Sequence, residues 1–260
     1  HKPITTTNGL RETTRVLVIE DNADVVAYIS SILKGEYVLT IEHDGDKGVE
    51  TAINEVPDLI ITDLMMPGKD GYEVCRLLKY DDRTSHVPII MLTAKADRES
   101  KILGLQSGAD IYLSKPFDQE ELLVQVKQLI DLRKKLQAHY HASGDLNGEE
   151  QPVNKKEDLF ISKVREAIHA RMDDSSFGIL QLCRIIGMSR TQLHNKLKAL
   201  TGKSASHFIR SVRLEVAQKL LREDDLTIAE IAYSIGFTDP GYFSRVYREE
   251  FGEAPSEYRE

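Results

Sequence analysis

The stretch Leu59-Ile-Ile-Thr-Asp-Leu-Met-Met-Pro-Gly68 carries a single carboxylate, that of Asp63, at the end of an apolar run. A short apolar run bounded by turn residues is typical of a buried β-strand. Three further runs have the same character, and each is closed by polar residues: 15–20 by Glu20 and Asp21, 89–93 by Thr93, and 111–114 by Lys115. In a parallel sheet these strand ends share one edge, where open α/β sheets bind ligands.

The polar residues at this edge predict a site for a divalent cation and an anion: Glu20, Asp21, Asp63, Thr93 and Lys115. Mg²⁺ prefers carboxylate oxygens and commonly binds beside a phosphate. A phosphoryl group on Asp63 would need a metal ion, a cation and a hydrogen-bond donor, and Lys115 and Thr93 would be the last two. One aspartate at a strand end is usually a turn former or a helix cap. Polar groups at four strand ends together favour a site.

Four segments of the N-terminal half carry a family resemblance: Val16-Leu-Val-Ile-Glu-Asp21, Ile61-Thr-Asp-Leu-Met-Met-Pro-Gly68, Ile90-Met-Leu-Thr-Ala94 and Tyr112-Leu-Ser-Lys-Pro116. Through these segments, residues 14–133 resemble a response-regulator receiver domain. The resemblance implies a doubly wound α/β domain with a flavodoxin-like, five-stranded parallel sheet.

The same resemblance implies a role for each residue at the predicted edge. Asp63 would accept a phosphoryl group. Mg²⁺ would be held by Glu20, Asp21 and Asp63, with the backbone carbonyl of Met65 as a further ligand. The implied phosphate-binding and switch residues are Thr93, Ala94, Tyr112 and Lys115, among which Lys115 binds phosphate and Thr93 and Tyr112 form the switch pair.

Length and charge indicate two domains with different partners. At 260 residues the chain can form two hydrophobic cores. The net charge of −8 is unevenly spread: residues 1–132 carry 14 basic and 23 acidic residues, whereas residues 156–260 carry 16 of each. Residues 184–222 hold nine Lys and Arg against the single acid Glu215. This local excess of positive charge predicts a polyanionic partner.

General features of the chain predict a cytoplasmic fragment. No apolar run approaches the length of a membrane span. Cys75 and Cys183 are each without a second cysteine nearby, which favours buried free thiols in a reducing compartment. Because the chain begins at His1 without a signal-peptide pattern, we expect it to be excised from a longer protein.

A helix and a linker are predicted between the two domains. Asp118 and Glu121 form a capping box, and the apolar spacing after it predicts a helix that extends towards Leu136. Residues 138–152 are poor in core-forming residues and indicate a flexible linker. The predicted boundaries are 14–133 for the first domain, 134–157 for the linker and 158–260 for the second domain.

An internal repeat organises the second domain. Residues 182–189 and 231–238 each combine a short apolar helix, a glycine, an apolar residue and a Ser or Thr N-cap. A second helix is predicted after each cap, at 190–200 and 240–251, and Asp239 followed by Pro240 is also a favourable start for the latter. An apolar helix at 204–220 joins the two units. Two helix-turn-helix units on one rigid helix predict an all-α DNA-binding domain. The predicted core anchors, one residue out of phase between units, are Leu193 and Leu197 in the first and Phe243 and Tyr247 in the second.

The second unit carries another family resemblance, through Ile231-Ala-Tyr-Ser-Ile-Gly-Phe-Thr-Asp-Pro-Gly-Tyr-Phe-Ser-Arg-Val-Tyr-Arg248 followed by Gly252-Glu-Ala-Pro-Ser-Glu-Tyr-Arg259. From about residue 158 to the end, the chain resembles the AraC-type DNA-binding domain. The resemblance implies recognition helices in adjacent major-groove segments on one DNA face. The implied contact residues are Arg190, Thr191, Gln192, His194, Asn195 and Lys198 in the first unit, and Asp239, Gly241, Tyr242, Ser244, Arg245 and Arg248 in the second.

The two recognition helices are expected to contribute differently. Gly241 has no side chain with which to read a base. We therefore expect the second helix to add phosphate contacts through Tyr242, Arg245 and Arg248 rather than specificity.

Together these features predict a phosphorylation-controlled, sequence-specific transcription regulator of a two-component phosphorelay. Its partners would be double-stranded DNA, a phosphohistidine donor on a histidine kinase, and a second copy of the phosphorylated chain. Phosphorylation would reshape the surface formed by a helix at 99–107, the strand at 111–114 and the helix after Asp118. The domain order also resembles the cytoplasmic tail of hybrid sensors, in which a kinase precedes these modules.

Two other functions use a similar arrangement of residues, namely an aspartyl-phosphate phosphohydrolase and a receiver that is never phosphorylated. An aspartyl-phosphate phosphohydrolase would need a second aspartate just after Asp63 as general acid, and Leu64 and Met65 occupy those positions. A receiver that acts only as a docking module would have no need of an intact Asp63, Thr93 and Lys115. Binding of a phosphate mimic such as beryllofluoride separates this alternative from the phosphorylated regulator.

Overall fold

The computed structural model describes residues 14–94, 108–142, 155–223 and 226–259. The chain divides into two compact units between Leu132 and Arg133. The helix predicted at 99–107 lies outside the described residues.

The first unit contains a sheet of five parallel strands: β1 (Arg15–Ile19), β2 (Val38–Glu42), β3 (Leu59–Asp63), β4 (Ile89–Thr93) and β5 (Ile111–Ser114). The strand order is β2-β1-β3-β4-β5. The predicted doubly wound, flavodoxin-like fold is therefore confirmed. The order of the strands reverses between β1 and β3, and such sheets bind ligands in the crevice beyond the carboxyl ends at this reversal.

Burial differs sharply between the central strands and the edge. All five residues of β3 and all five of β4 are buried, as expected for parallel strands covered on both faces. The edge strand β2 is half-exposed and has the mixed sequence Val-Leu-Thr-Ile-Glu. It is the one strand that the sequence analysis did not locate.

Three capped helices connect the first strands: α1 (Ala23–Leu33), α2 (Gly45–Glu55) and α3 (Gly71–Tyr80). Their N-cap side chains, those of Asn22, Asp44 and Asp70, accept hydrogen bonds from first-turn N–H groups. Helix α3 starts very close to the end of β3, because a Cβ added at Gly71 would lie 2.4 Å from the carbonyl oxygen of Asp63. This close approach fixes the chain that follows Asp63.

A long helix, α4 (Gln119–Ala142), follows β5. Its predicted start is confirmed, since the Asp118 Oδ1 accepts a hydrogen bond from the Glu121 N–H at 2.7 Å. The helix extends beyond Leu136 to Ala142, inside the segment predicted as linker, and residues 143–154 lie outside the described ranges. Among the helices that the structure describes, none is both long enough and apolar enough to cross a membrane.

The second unit is helical: α5 (Lys155–His169), α6 (Ile179–Ile186), α7 (Arg190–Thr201), α8 (Ala205–Glu223), α9 (Ile228–Ser234), α10 (Pro240–Phe251) and α11 (Pro255–Arg259). The pairs α6 with α7 and α9 with α10 are the two predicted helix-turn-helix units. Helix α8 joins them and contributes to both hydrophobic cores, with Val212 in the first core and Leu214 in the second.

The turns of the two units decide between the two caps predicted for α10. Gly187 and Gly236 have φ of +75° and +77°, which only glycine adopts readily. Ser189 caps α7 as predicted. Thr238 does not cap α10, because the chain runs one residue further and Asp239 accepts the hydrogen bond from the Gly241 N–H at 2.7 Å.

With Asp239 as the cap of α10, the core anchors of the two recognition helices lie at the same distance from their caps. Counted from Ser189 and Asp239, the four core anchors occupy the fourth and eighth positions in both units: Leu193 and Leu197, and Phe243 and Tyr247. All four side chains are fully buried. Their prediction as core residues is confirmed.

An ion pair lies inside the second unit. The Nζ of Lys196, on α7, is 3.0 Å from the Oε2 of Glu157, on α5, and 4.4 Å from the ring centre of Phe160. Lys196 and Glu157 are 0 % and 1 % exposed. Because a buried charge without its partner is strongly destabilising, this pair ties the first recognition helix to α5.

The two cysteines differ in their surroundings. Cys75 is buried as predicted, and burial raises the pKa of its thiol to about 12. Cys183 is only half-buried, because it lies on α6 at the edge of the first core.

Candidate functional site

The predicted carboxylates meet at the carboxyl edge of the sheet. Asp63 is the last residue of β3, and Glu20 and Asp21 directly follow β1. One carboxylate oxygen of each lies within 4.8 Å of the others. Glu20 and Asp63 are 1 % and 7 % exposed, whereas Asp21 is exposed. The cluster therefore has a buried side in the sheet and an open side towards solvent.

Lys115 joins two of these carboxylates. Its Nζ lies 2.7 Å from the Oε2 of Glu20 and 2.9 Å from the Oδ1 of Asp63. The backbone N–H of Lys115 donates to the carbonyl oxygen of Thr93 at 2.7 Å, which extends the β4–β5 pairing by one residue. The end of β5 thus directs the lysine across the edge to β3 and β1.

Burial and charge act against each other in this cluster. Burial raises the pKa of Glu20, and the charge of Asp63 adds to that rise, while the hydrogen bond from Lys115 opposes it. Burial would lower the pKa of Lys115, but its hydrogen bonds to Glu20 and Asp63 outweigh burial and raise the pKa. Lys115 is therefore held as a cation by its contacts with the two carboxyl groups.

The remaining predicted residues of this site lie around the cluster. Thr93 is buried at the end of β4, and Ala94 follows it at the surface. Tyr112 is half-buried and packs against the hydrophobic core on one side of the sheet. Met65 is 74 % exposed, two residues after Asp63. The three carboxylates and the lysine are brought into contact, and Thr93 borders them through its carbonyl bond to Lys115.

The first recognition helix, α7, presents most of its predicted contact residues. Arg190 and Thr191 are exposed, and the partly exposed residues are His194, Asn195 and Lys198. Gln192 is different, since it is 8 % exposed and its Oε1 accepts a hydrogen bond from the Ser189 N–H. This glutamine completes the cap of the helix, and its role as a base contact stays a prediction.

The second recognition helix, α10, is arranged differently. Tyr242 and Arg245 are exposed, and the Arg245 guanidinium lies 5.2 Å from the Tyr242 ring centre. Asp239 serves as the N-cap, and the Ser244 hydroxyl donates to the Pro240 carbonyl oxygen. The Gly241 N–H donates to this cap. Arg248 is exposed and pairs with Glu257 at the surface.

The basic stretch at 184–222 does not form one basic face. Lys196 is buried against Glu157, and Lys203 pairs with Glu250 at 2.8 Å. Arg213 is 8 % exposed and donates to backbone carbonyl oxygens. These three charged side chains stabilise the fold. The sequence pattern alone did not distinguish them from charged side chains on the surface.

Family models match both parts of the chain. A model of the response regulator receiver domain matches residues 16–127. A helix-turn-helix domain model, of AraC type, matches residues 182–260. The chain joins a receiver domain to an AraC-type helix-turn-helix domain.

Relatives of known description resemble the whole chain or its receiver domain. Histidine kinase P4 of Formosa agariphila is 32 % identical over 249 residues, which are 96 % of this chain and 18 % of the relative. Response regulator ArlR of Staphylococcus saprophyticus is 42 % identical over 118 residues, which are 45 % of this chain and 52 % of the relative. The chain thus spans less than two thirds of the length of each curated relative.

A solved structure also resembles the receiver domain. It is the receiver domain of sensor histidine kinase PA1611 from Pseudomonas aeruginosa PAO1, with a magnesium ion coordinated in its active site cleft. The two are 32 % identical, and the match covers 46 % of this chain and 98 % of that one at a TM-score of 0.44.

A polar cluster in the helix-turn-helix domain escaped the sequence analysis. Glu250, near the end of α10, accepts a hydrogen bond from Lys203, which lies just before α8, at 2.8 Å. It also accepts hydrogen bonds from His207 at 3.0 Å and Ser211 at 2.8 Å, both on the first half of α8. Burial alone would raise the pKa of Glu250, but these hydrogen bonds outweigh burial and lower the pKa to about 2. The partners lie 39 to 47 residues away in sequence, so no local pattern indicates them.

The helix-turn-helix domain is expected to lose stability in acid through this cluster. A carboxyl group whose pKa falls from 4.5 to about 2 on folding stabilises the fold above pH 4.5, and this stabilisation disappears as the pH falls towards 2. Glu250→Gln should therefore lower the free energy of unfolding by roughly 1–3 kcal/mol at neutral pH. The difference in the free energy of unfolding between Glu250→Gln and the wild type should disappear as the pH falls from 4.5 to 2.

Calorimetry of the full chain measures this difference, with the exposed residue Glu253 as control. Glu253→Gln should leave the melting of the helix-turn-helix domain unchanged at neutral pH. A difference for Glu250→Gln that stays constant from pH 7 to pH 2 would contradict the role assigned to Glu250.

Proposed function

We propose that this chain is a phosphorylation-controlled transcription regulator, in which Asp63 of the receiver domain accepts a phosphoryl group and the helix-turn-helix domain binds specific DNA. The observation that carries the proposal is the contact of Lys115 with both Glu20 and Asp63 at the edge of the sheet. This contact places an ammonium group directly beside the carboxylate that would carry the phosphoryl group. It fits an anion that arrives on one of the carboxylates.

Asp63 is the best candidate for the phosphoryl acceptor. It ends the central, fully buried strand β3, and the close approach of Gly71 to its carbonyl oxygen fixes its backbone. In phosphoryl transfer, most of the catalysis is positioning and charge neutralisation. Lys115, already 2.9 Å from the Asp63 Oδ1, would neutralise the phosphoryl oxygens, and Thr93 would donate a hydrogen bond to them.

The acidic cluster fits a magnesium ion. Glu20, Asp21 and Asp63 offer three carboxylate oxygens within 4.8 Å of one another, and Asp21 opens to solvent. Mg²⁺ binds through a few carboxylates and retains several waters, so a half-open set of hard oxygen ligands suits it. These residues, with the Met65 carbonyl, would hold the ion. A bound Mg²⁺ would supply charge neutralisation to the phosphoryl oxygens.

The proposed phosphoryl donor is a phosphohistidine of a histidine kinase. The similarity to histidine kinase P4 extends over 96 % of this chain, so both domains have counterparts in that relative. Residues of this chain would accept the phosphoryl group and hold it, with Thr93 and Tyr112 responding to its presence. The resulting change would favour a dimer of receiver domains.

DNA binding is assigned to the two recognition helices. On α7, exposed Arg190 and half-exposed Asn195 carry donors and acceptors that suit base edges. On α10, the exposed set of Tyr242, Arg245 and Arg248 suits phosphate oxygens. We therefore assign sequence reading chiefly to the first unit and backbone contact chiefly to the second.

The phosphorylation proposal is tested by labelling with a small phosphodonor. Asp63→Asn should reduce Mg²⁺-dependent, acid-labile labelling to background, because the acceptor oxygen is lost. Lys115→Ala should weaken the downstream response more than it weakens metal binding. Asp44→Asn is a matched control, since Asp44 follows β2 at the same edge, caps α2, and Asn is an equally good cap. Labelling of Asp63→Asn at the wild-type level would refute the site.

The DNA proposal is tested by comparing a selected duplex with a scrambled one. Arg190→Ala and Asn195→Ala should narrow the ratio of the two affinities, by roughly 1–3 kcal/mol for a good bidentate base contact. Arg248→Ala should weaken both duplexes alike, because phosphate contacts carry no sequence information. Equal ratios in all three variants would mean that α7 does not read the bases.

The dimer proposal is tested by sedimentation with and without beryllofluoride. A receiver surface that associates better in the phosphorylated state promotes dimers, and paired DNA-binding domains then bind repeated half-sites with greater avidity. The wild type should shift to dimer with beryllofluoride, whereas Asp63→Asn should not respond. A wild-type chain that stays monomeric while its affinity for DNA rises would exclude dimerisation as the switch.

A further inference from the structure

A cleft of about 650 Å³ lies between the two helix-turn-helix units. One wall is the turn before α6 and the start of that helix, and the other is the turn between α9 and α10 with Tyr242. The N-terminal half of α8 lies between the walls and contributes Arg210 and Arg213. Among the described residues that line the cleft, none is acidic. The cleft is therefore positively charged.

Arg213 holds the two walls together. Its Nη atoms donate to the carbonyl oxygens of Asp174 and Phe177 on one wall and of Gly236 on the other, at 2.7, 3.5 and 3.3 Å. A Cβ at Gly236 would lie 2.9 Å from an Arg213 Nη atom, so the wall packs directly on the guanidinium. The Arg213 Nε is buried and has no hydrogen-bond partner. Carbonyl dipoles satisfy this arginine without cancelling its charge.

Arg210 has no comparable structural task. It lies one helical turn before Arg213, and its Nε is shielded from solvent without a hydrogen-bond partner. Within the ranges that the structure describes, no ion pair joins its guanidinium to a carboxylate. His207, the other titratable residue on this side of α8, is already engaged with Glu250. Arg210 is thus the cation in the cleft that remains available to a ligand.

The start of α6 adds hydrogen-bond donors to the same cleft. Gly178 is its N-cap and has no side chain with which to cap the first N–H groups. The first N–H groups of a helix, together with the helix dipole, favour an anion. The Gly178 N–H already donates to the Gln181 Oε1, so the donors left for an anion are those of the first turn of α6. This turn begins at Ile179, which lines the cleft together with Arg210.

We propose that this cleft binds a backbone phosphate of the DNA that runs between the two major-groove segments, with Arg210 as its principal ligand. The inference rests on the proposed DNA-binding function and deepens it. In helix-turn-helix domains the first helix crosses the backbone and the start of the second enters the major groove. The cleft lies beside both kinds of element, namely the start of α6 in one unit and Thr238 and Tyr242 at the start of α10 in the other. A phosphate held here fixes the spacing of the two recognition helices along the DNA.

The first test compares Arg210→Gln with Lys219→Gln in the full chain. Lys219 is exposed on the same helix, nine residues later and hence on its opposite side, so the control loses the same charge outside the cleft. Arg210→Gln should weaken binding to a selected duplex and to a scrambled duplex by the same factor, roughly tenfold. It should also reduce the slope of log affinity against log salt by about 0.9, the value for one lost phosphate contact. Arg210→Lys should recover part of both effects.

The second test locates the phosphate. Single neutral methylphosphonate linkages are placed along the selected duplex, and binding is measured for the wild type and for Arg210→Gln. One linkage between the two major-groove segments should weaken DNA binding by the wild type. The same linkage should not weaken DNA binding by Arg210→Gln any further. Unchanged melting of the variant excludes misfolding as the cause.

Several outcomes would overturn the assignment. Arg210→Gln that matches Lys219→Gln in affinity and salt slope would show that the cleft contacts no phosphate. Suppose that inorganic phosphate binds the wild type but not Arg210→Gln, and that no single methylphosphonate linkage weakens DNA binding. The cleft would then be a site for a free anion. A wild type that does not prefer the selected duplex would refute sequence-specific recognition instead, and the salt slopes on scrambled DNA would still report on Arg210.

Discussion

The contact of one ammonium group with two buried carboxylates determines the chemistry of the receiver domain. Glu20 and Asp63 lie at the ends of neighbouring strands, so the parallel register places the two buried carboxyl groups side by side. Burial raises the pKa of Glu20, and Lys115, delivered by the end of β5, opposes that rise and contacts both carboxyl groups at 2.7 and 2.9 Å. In the proposed function, the same ammonium group lies beside the carboxylate that would accept the phosphoryl group. Every other part of the site, from the buried β4 to the closely packed Gly71, holds these three side chains in register.

The helix-turn-helix domain uses buried charges in a different way. Its two units have separate hydrophobic cores, which alone would allow the recognition helices to shift relative to each other. Polar contacts resist such a shift. Arg213 connects the turns of both units through carbonyl oxygens, and Glu250 on α10 is held by the start of α8. Charges that an inspection of composition assigns to a DNA-facing surface thus partly serve to fix the distance between the two helices.

Features set by neighbouring residues could be predicted from the sequence, whereas contacts between residues far apart in the chain could not. Strands β3 and β4 were readable because all five residues of each are buried, and the site followed because strand ends share one edge. The edge strand β2 is half-exposed and gave no such signal. The capping role of Gln192 was not foreseen, because the residue type that reads bases also completes a capping box. The sequence left Thr238 and Asp239 open as the cap of α10, since both residue types are good caps, and the structure selects Asp239. Glu250 was invisible because its partners are 39 to 47 residues away.

The ion pair between Glu157 and Lys196 bears on where the DNA-binding module begins. The match to the helix-turn-helix family starts at residue 182, and the boundary read from sequence is residue 158. Both exclude Glu157, although it is the counter-charge of a lysine inside the first recognition helix. A fragment cut at residue 158 would lose this ion pair, and one cut at residue 182 would also lose the apolar residues that α5 contributes to the first core. The smallest autonomous module is therefore longer than its family signature and includes the start of α5. Recombination between regulators of this kind would be tolerated before that helix and not within it.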